Sequence, residues 1–307
     1  MAEFNICNKI ITAPLAGVTD KPFRKILSGF GPGLIYSEMI SSEALTRSNV
    51  KTYKMIDFSN ENYKIAAQIF GANADKIAKA AELIQEYAKP YSIDLNMGCP
   101  IKKIVKNGAG AALLKDLKKI EEIIKKTAPI CRIPLTIKIR TGWNTNEDSF
   151  LQIGKIAEDN GISAIALHGR SAAQMYSGRA DWDKIEMLKK NINIPVIGNG
   201  DILTGNDFFK NVNRCDYIMI GRGLLYNPFL IREINGENPP SIKELKNLMT
   251  AHLNELLKEY GEFKAVRHFR KYFSWYLKNI RNAKLFREEG FKIKNHKDFI
   301  TLVGKIL

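Results

Sequence analysis

Residues 92–100 read SIDLNMGCP, a short strand-like run that leads into a polar loop. The first half is partly apolar, and Gly98 and Pro100 mark a turn directly after it. Parallel barrels and open parallel sheets carry their functional groups just beyond the carboxyl ends of their strands. We therefore expect Asn96 and Cys99 to face one crevice at a strand end. A thiol buried in the core is the alternative for Cys99.

Seven other apolar runs resemble strands, and polar or glycine-rich residues follow each of them. Helix-like stretches separate the runs, and three of these stretches open with an Asp suited to the N-cap position. Eight β/α units predict a (β/α)8 barrel; an open doubly wound sheet is the alternative, but no G-x-G-x-x-G follows the first run. The predicted strands cover 10–13, 34–37, 65–69, 93–95, 135–139, 164–167, 195–198 and 217–220, and the helices 75–88, 116–128, 148–160 and 182–191.

The pattern changes after Pro239 and Pro240, where strand-like runs stop and helical spacing takes over. We predict a barrel over residues 1–238 and a small all-helical domain over 239–307. The net charge is +15, and residues 241–307 hold 15 Lys and Arg against 7 Asp and Glu. This asymmetry favours a polyanionic partner, nucleic acid before membrane, although a lysine-rich composition alone is the alternative.

One predicted helix of the second domain has an apolar face formed by residues such as Phe269 and Phe273. Basic residues lie largely off this face. A solvated helix surface is the ordinary interpretation of such residues, but together with the charge asymmetry they predict a nucleic-acid contact. The residues we assign to it are Arg267, Arg270, Lys271 and Arg281.

Cys7, Cys131 and Cys215 lack the loop setting of Cys99, and we interpret them as buried core residues. The four cysteines show no C-x-x-C pair and no zinc spacing, so we expect no disulfide framework and no structural metal. No run of about 18 apolar residues and no charged leader is present. We expect a cytoplasmic protein that does not bind membranes.

Three further strand ends carry groups suited to a ligand. Gln68 offers a donor and an acceptor together, which suits a ring with adjacent N–H and C=O groups. Lys138 lies inside an apolar run and needs a partner there, either a phosphate, an electron-rich cofactor or a buried carboxylate. His168 and Arg170 close the sixth run and look more like a site than like packing, although a satisfied surface histidine is the alternative.

Glycine-rich turns end the seventh and eighth runs, as Asn199-Gly200-Asp201 and Gly221-Arg222-Gly223. The loops after these two strands are the usual phosphate pocket of a barrel. Backbone N–H groups at glycine and the Arg222 guanidinium both suit phosphate oxygens. We predict a bound phosphorylated cofactor.

These segments resemble the tRNA-dihydrouridine synthases, flavin enzymes that reduce uridine to 5,6-dihydrouridine in tRNA, and most of all their bacterial B type. The resemblance covers nearly the whole chain. It implies a barrel that holds FMN, helices that bind tRNA, NADPH as reductant with NADH as the alternative, and a monomer. The segments that carry it are 13–20 (APLAGVTD), 68–71 (QIFG), 94–100 (DLNMGCP), 138–140 (KIR), 167–170 (LHGR), 174–176 (QMY), 199–201 (NGD) and 221–223 (GRG).

The resemblance also implies residue roles. A hydride passes from flavin N5 to uracil C6, and Cys99 gives a proton to C5 from the opposite face. Lys138 lies by the N1/O2 region of the flavin, and Gln68 pairs with its pyrimidine edge. The remaining flavin contacts are Pro14, Leu15, Ala16, His168, Asn199, Gly200, Asp201, Gly221 and Arg222, and the uracil contacts are Asn96, Arg170 and Tyr176.

Two other functions stay open at this point. A flavin barrel similar to the dihydroorotate dehydrogenases acts on a free pyrimidine, and the basic carboxyl-terminal segment argues against it. A noncatalytic RNA-binding barrel is the other, and the presence of Asn96, Cys99 and Lys138 argues against that one.

Overall fold

The computed structural model describes residues 2–278 and 280–306, and these contain nine strands, fifteen α-helices and two 3-10 helices, at Gly110–Lys115 and Ala128–Ile130. The strands are β1 (Ile10–Thr12), β2 (Leu34–Tyr36), β3 (Ile40–Ser41), β4 (Ile65–Phe70), β5 (Ser92–Asn96), β6 (Leu135–Arg140), β7 (Ala164–His168), β8 (Val196–Asn199) and β9 (Tyr217–Ile220). The helices are α1 (Lys21–Ser28), α2 (Ser42–Thr46), α3 (Val50–Met55), α4 (Ala74–Ala88), α5 (Lys102–Val105), α6 (Leu117–Thr127), α7 (Phe150–Asp159), α8 (Trp182–Asn191), α9 (Gly205–Asn211), α10 (Arg222–Tyr226), α11 (Leu230–Ile234), α12 (Ile242–Tyr260), α13 (Glu262–Tyr276), α14 (Ala283–Lys292) and α15 (His296–Gly304).

Eight parallel strands close into a barrel. β1 pairs with β2, β2 with β4, and β4 to β9 follow in chain order until β9 pairs with β1. The two-residue β3 pairs with the end of β4 and is not part of the ring. The predicted (β/α)8 barrel followed by a helical region is confirmed.

Alternation along the strands explains why a polar site forms inside this barrel. On β5, Ile93 and Leu95 belong to the large core shared with the surrounding helices. The intervening Asp94 and Asn96 are also buried, and they point to the other face of the sheet, which is the barrel interior. Part of the interior is apolar, with Ile11 in a cluster that also includes Phe4 from the amino-terminal segment.

Two of the predicted helix starts are wrong. Asn73, not Asp75, caps α4 by accepting a hydrogen bond from the Lys76 N–H at 2.9 Å. Ser149 precedes α7, and Asp148 instead forms an ion pair with Lys184. The third expectation is confirmed, since Asp116 caps α6. Among the cysteines, Cys215 is buried and Cys131 half-buried, whereas the prediction for Cys7 is wrong because its side chain is exposed.

The carboxyl-terminal helices pack on the barrel near the loop that follows β1. The Tyr260 hydroxyl donates to Asp20 at 3.1 Å, and the Tyr272 hydroxyl donates to the Val18 carbonyl at 2.7 Å. The predicted boundary after residue 238 lies in the segment between α11 and α12; the division into two domains stays a prediction. Within the described part of the chain, every helix is too short or too polar to cross a membrane.

Candidate active site

The carboxyl ends of the barrel strands surround a cavity of about 330 Å³. Its lining combines apolar residues, including Met39, Met219 and Leu225, with most of the predicted site residues. The predicted residues that line it are Pro14, Leu15, Ala16, Asn96, Cys99, Lys138, His168, Tyr176, Asn199, Gly200, Asp201, Gly221 and Arg222.

Cys99 lies half-buried at the edge of this cavity, on a loop that Asn96 holds. The Asn96 Oδ1 accepts the backbone N–H of Gly98 at 3.2 Å and that of Cys99 at 3.0 Å. Burial raises the pKa of the Cys99 thiol, and the nearby Arg140 and Lys138 offset only part of this effect. The thiol is therefore protonated at neutral pH, and it can act as an acid.

Cations dominate the charge in the cavity. The pKa of Lys138 is lowered to about 8, because burial and the charge of Arg140 together outweigh the opposing effect of Asp94. The Lys138 Nζ donates to Asn199 Oδ1 at 3.0 Å. Burial, followed by the charges of Lys138 and Arg140, holds the pKa of His168 well below its ordinary value, so His168 is neutral. Such a cavity suits an anionic ligand.

The acidic residue of the lining, Asp201, is already paired. It accepts from Arg170 at 2.7 Å and from Arg222 at 3.0 Å. The two arginines therefore compensate its charge, and the cavity keeps a positive balance. Among the described residues, no cluster of His, Cys, Asp or Glu is placed to hold a metal ion.

Arg170 and Gln68 do not reach the cavity, contrary to prediction. Arg170 is 2 % exposed, and its guanidinium donates to the carbonyls of Ser177 and Gly178 and to Asp201. It therefore anchors its own loop and is not placed to contact uracil. Gln68 is fully buried within the barrel and bonds to Asp94 and Asn96.

Sequence reasoning missed Arg140 as a site residue, although it follows Lys138 by two positions and so shares its inward face. Its guanidinium donates to the carbonyls of Gly98 at 3.0 Å, Ser171 at 2.8 Å and Met175 at 2.7 Å. It thereby ties the Cys99 loop to the loop after β7.

A family model described as "Dihydrouridine synthase (Dus)" matches residues 11–306. The chain belongs to the dihydrouridine synthase family. This confirms the resemblance recognised in the sequence, including a flavin-dependent reductive chemistry.

Curated relatives support the assignment to the dihydrouridine synthases over almost the full chain. The tRNA-dihydrouridine synthase B of Pasteurella multocida is 37 % identical, over 99 % of this chain and 94 % of its own. The tRNA-dihydrouridine synthase B of Vibrio parahaemolyticus is 40 % identical over 94 % of this chain and 92 % of its own. The tRNA-dihydrouridine synthase B of Pseudomonas aeruginosa is 36 % identical over 96 % of this chain and 91 % of its own.

Solved structures share the barrel at lower similarity. The old yellow enzyme homologue of Zymomonas mobilis has a TM-score of 0.54 at 13 % identity, over 78 % of this chain and 91 % of that one. A variant of the same protein has a TM-score of 0.55 at 18 % identity, over 78 % of this chain and 89 % of that one. This likeness shows the fold.

In the carboxyl-terminal helices, one residue that was not predicted lines the cavity, and two residues of the predicted basic face bond to the protein instead of facing solvent. Trp275, on α13, lines the cavity. Arg270 is half-buried and donates to the Ile293 carbonyl, and Lys271 donates to the Gly17 carbonyl of the barrel. Both side chains therefore hold the fold together, whereas Arg267 and Arg281 are exposed as predicted.

Proposed function

We propose that this protein reduces uridines of tRNA to 5,6-dihydrouridine, with bound FMN and with NADPH as the reductant. Flavin-dependent dihydrouridine synthesis in tRNA follows from the family and from its named relatives. The choice of FMN and NADPH and the role of each residue are the proposal. The observation that carries it is the Cys99 thiol, whose pKa is raised by burial, in the same cavity as Lys138 and Arg140.

The lining of the cavity fits FMN. At Gly200 the backbone has a φ of +133°, and a Cβ there would come within 2.4 Å of the Ala180 Cβ. Packing against Ala180 thus requires glycine at this point of the lining, and its bare backbone suits the close approach of a phosphate or ribityl chain. Cationic Lys138 and Arg222 match the negative charge of a phosphate and of a reduced flavin ring.

We assign the phosphate and ribityl chain to Asn199, Gly200, Asp201, Gly221, Arg222 and His168, and the ring to Pro14, Leu15, Ala16 and Lys138. When bound, the flavin accepts electrons from NADPH and supplies a hydride to C6 of the uracil. The protein must then provide a proton at C5 and stabilise the charge that develops there.

Cys99 is the proton donor in this proposal. Because burial raises its pKa, the thiol keeps its proton at neutral pH until the ring draws it away. The thiolate that remains is stabilised by Arg140 and Lys138, whose charges lower the pKa of Cys99 against the effect of burial. Tyr176 is 51 % exposed, and the centre of its ring lies 5.6 Å from the Arg140 guanidinium carbon. We therefore assign Tyr176 to contact with the entering base.

The helical part is assigned to tRNA. Arg267 and Arg281 are exposed, and neither forms a hydrogen bond or ion pair with the described residues, so both can contact phosphates. The Arg267 guanidinium lies 5.1 Å from the centre of the Phe263 ring. A base must leave its stack to enter a barrel mouth, as other enzymes that modify bases require. A cytoplasmic location and a monomeric state stay predictions.

The test compares substrates for the purified protein. We expect the purified protein to show flavin absorbance and the flavin released from it to be FMN. NADPH oxidation should yield dihydrouridine with bulk tRNA and no product with free uracil or orotate. Turnover of the free pyrimidines at a rate equal to that of tRNA would support the dihydroorotate dehydrogenase-like alternative. Tight tRNA binding without flavin would support the noncatalytic one.

A further inference from the structure

Four polar side chains lie inside the barrel without lining the cavity. Tyr36, Gln68, Asp94 and Thr136 are all fully buried. Burial of so many polar groups is costly unless each is hydrogen-bonded. The proposed chemistry gives none of them a task, since Gln68, which the family resemblance assigned to the flavin, does not line the cavity.

These side chains form one hydrogen-bonded chain that ends at Cys99. The Thr136 hydroxyl donates to Asp94 Oδ1 at 2.6 Å, and the Tyr36 hydroxyl donates to the same atom at 3.3 Å. Gln68 Nε2 donates to Asp94 Oδ2 at 2.7 Å, and Asn96 Nδ2 donates to Gln68 Oε1 at 2.8 Å. Asn96 Oδ1 then accepts the Cys99 N–H.

The direction of every bond in this chain is set by its two ends. A carboxylate such as that of Asp94 can only accept, and the backbone N–H of Cys99 can only donate. An amide can be turned end for end, but here each orientation is fixed, since reversing Gln68 would place its oxygen against the carboxylate. The Asn96 amide also accepts the Gly98 N–H and donates to Met39 Sδ at 3.0 Å. With the bonds to Gln68 and Cys99, both of its N–H groups and its oxygen are hydrogen-bonded within the protein.

We propose that Asp94 is a positioning residue for Cys99, because its carboxylate orients Gln68 and, through Gln68, the Asn96 amide that holds the Cys99 loop. The inference rests on the proposed function only in taking Cys99 as the proton donor. It also gives Asn96 the task of holding the loop in place of a direct uracil contact.

Two substitutions at one position separate this role from simple space filling. Asp94→Leu is close in size but removes the acceptor, whereas Asp94→Asn keeps an oxygen that can accept from Gln68. In Asp94→Asn/Gln68→Glu, the new amide nitrogen donates to the new carboxylate, which still accepts from Asn96. The net charge is preserved, and the bonds from residue 68 to Cys99 keep their direction, whereas the bond between residues 94 and 68 is reversed.

Two readouts are measured on the flavin-loaded protein. The first is the rate at which iodoacetamide alkylates Cys99, followed by mass spectrometry of its peptide. The half-buried Cys131 is the internal control for general loosening. The second is the reoxidation of pre-reduced flavin by tRNA, compared with flavin reduction by NADPH.

For Asp94→Leu we expect alkylation of Cys99 to be about tenfold faster, as for loss of one ordinary hydrogen bond. Reoxidation by tRNA should be about a hundredfold slower, as for a misplaced reacting group. Reduction by NADPH and alkylation of Cys131 should be unchanged, and Asp94→Asn and the double variant should behave like the parent in both readouts.

Parent-like behaviour of Asp94→Leu, or an equal loss in Asp94→Asn and the double variant, would overturn the proposal. Should Asp94→Leu not fold, Gln68→Leu breaks the same chain at its next link and must expose Cys99 in the same way. If Cys99→Ala keeps full activity while Asp94→Leu still exposes Cys99, the acid assignment fails and the positioning role stands.

Discussion

The barrel mouth and the carboxyl-terminal helices both carry cations, but they hold them differently. In the mouth, burial lowers the pKa of Lys138 to about 8 and that of Arg140 to about 10, and both side chains are hydrogen-bonded to the protein. On the helices, Arg267 and Arg281 are exposed. Fixed, desolvated charges stabilise a reacting ring strongly, whereas exposed charges raise the affinity for a polyanion in a salt-dependent way. Chemistry and tRNA affinity should therefore respond to different mutations.

The two regions meet at α13. Trp275 from this helix lines the cavity, and the Lys271 ammonium reaches the Gly17 carbonyl in the loop after β1. The helical part is thus also a wall of the site, and mutations at this contact should affect substrate binding without affecting flavin reduction.

Among the cavity cations, Lys138→Met should have the largest effect. We expect uridine reduction to fall by about 10²- to 10³-fold, as for loss of one preorganised charge beside the reacting group. Lys138→Arg, which keeps the charge, should lose much less. Steady-state rates on tRNA with saturating FMN measure this, and equal losses in the two variants would mean that geometry matters and charge does not.

Trp275→Ala should have the next largest effect. Stacking of a base on an aromatic side chain contributes about 1–3 kcal/mol, so we expect the KM for tRNA to rise about 10- to 100-fold. Flavin reduction by NADPH should not change, and Trp275→Phe should restore most of the affinity. An unchanged KM would show that the wall formed by α13 does not contact the substrate.

The pH dependence of FMN binding should follow the protonation of the Lys138 side chain. Because its pKa lies at about 8, the ammonium is charged at pH 7 and neutral at higher pH. The FMN affinity of the apoprotein should therefore fall as pH rises through 8, by at most about tenfold per pH unit. The FMN phosphate is already ionised there. Fluorescence titration measures this, and the same dependence in Lys138→Met would assign it to another group.

Loss of the exposed arginines should have the smallest effect at fixed salt. Arg267→Ala/Arg281→Ala should lower the slope of log affinity against log salt by about 1 per arginine, with less than about tenfold loss of affinity in moderate salt. Lys118→Ala/Lys210→Ala, at exposed positions on α6 and α9, is the matched control. A slope that is equal in both pairs would indicate a merely solvated helix face.

Local pattern in the sequence was enough for the barrel and for most of the cavity lining. Strand alternation places Asn96, Lys138 and Asn199 inward at strand ends, and such a rule does not depend on distant contacts. It also places Gln68 inward but does not give its depth, because depth depends on the register between β4 and β5.

The errors at the site and on the basic face share one cause, which is contact between segments far apart in the chain. Arg170 was expected to face the substrate, but its loop folds back so that the guanidinium meets Asp201. Arg270 and Lys271 lie off the apolar face of α13, yet other parts of the fold cover them. Trp275 had no signal in the sequence, since only the packing of α13 on the barrel brings it to the cavity.

The role of Cys99 is tested most directly by a single turnover. The flavin of the parent and of Cys99→Ala is first reduced with NADPH, and its reoxidation by tRNA is then followed by absorbance. We expect reduction at equal rates and reoxidation about 10²- to 10⁴-fold slower in Cys99→Ala, as for loss of a positioned general acid. Reoxidation at the parent rate, with dihydrouridine formed, would contradict the assignment of the proton donor.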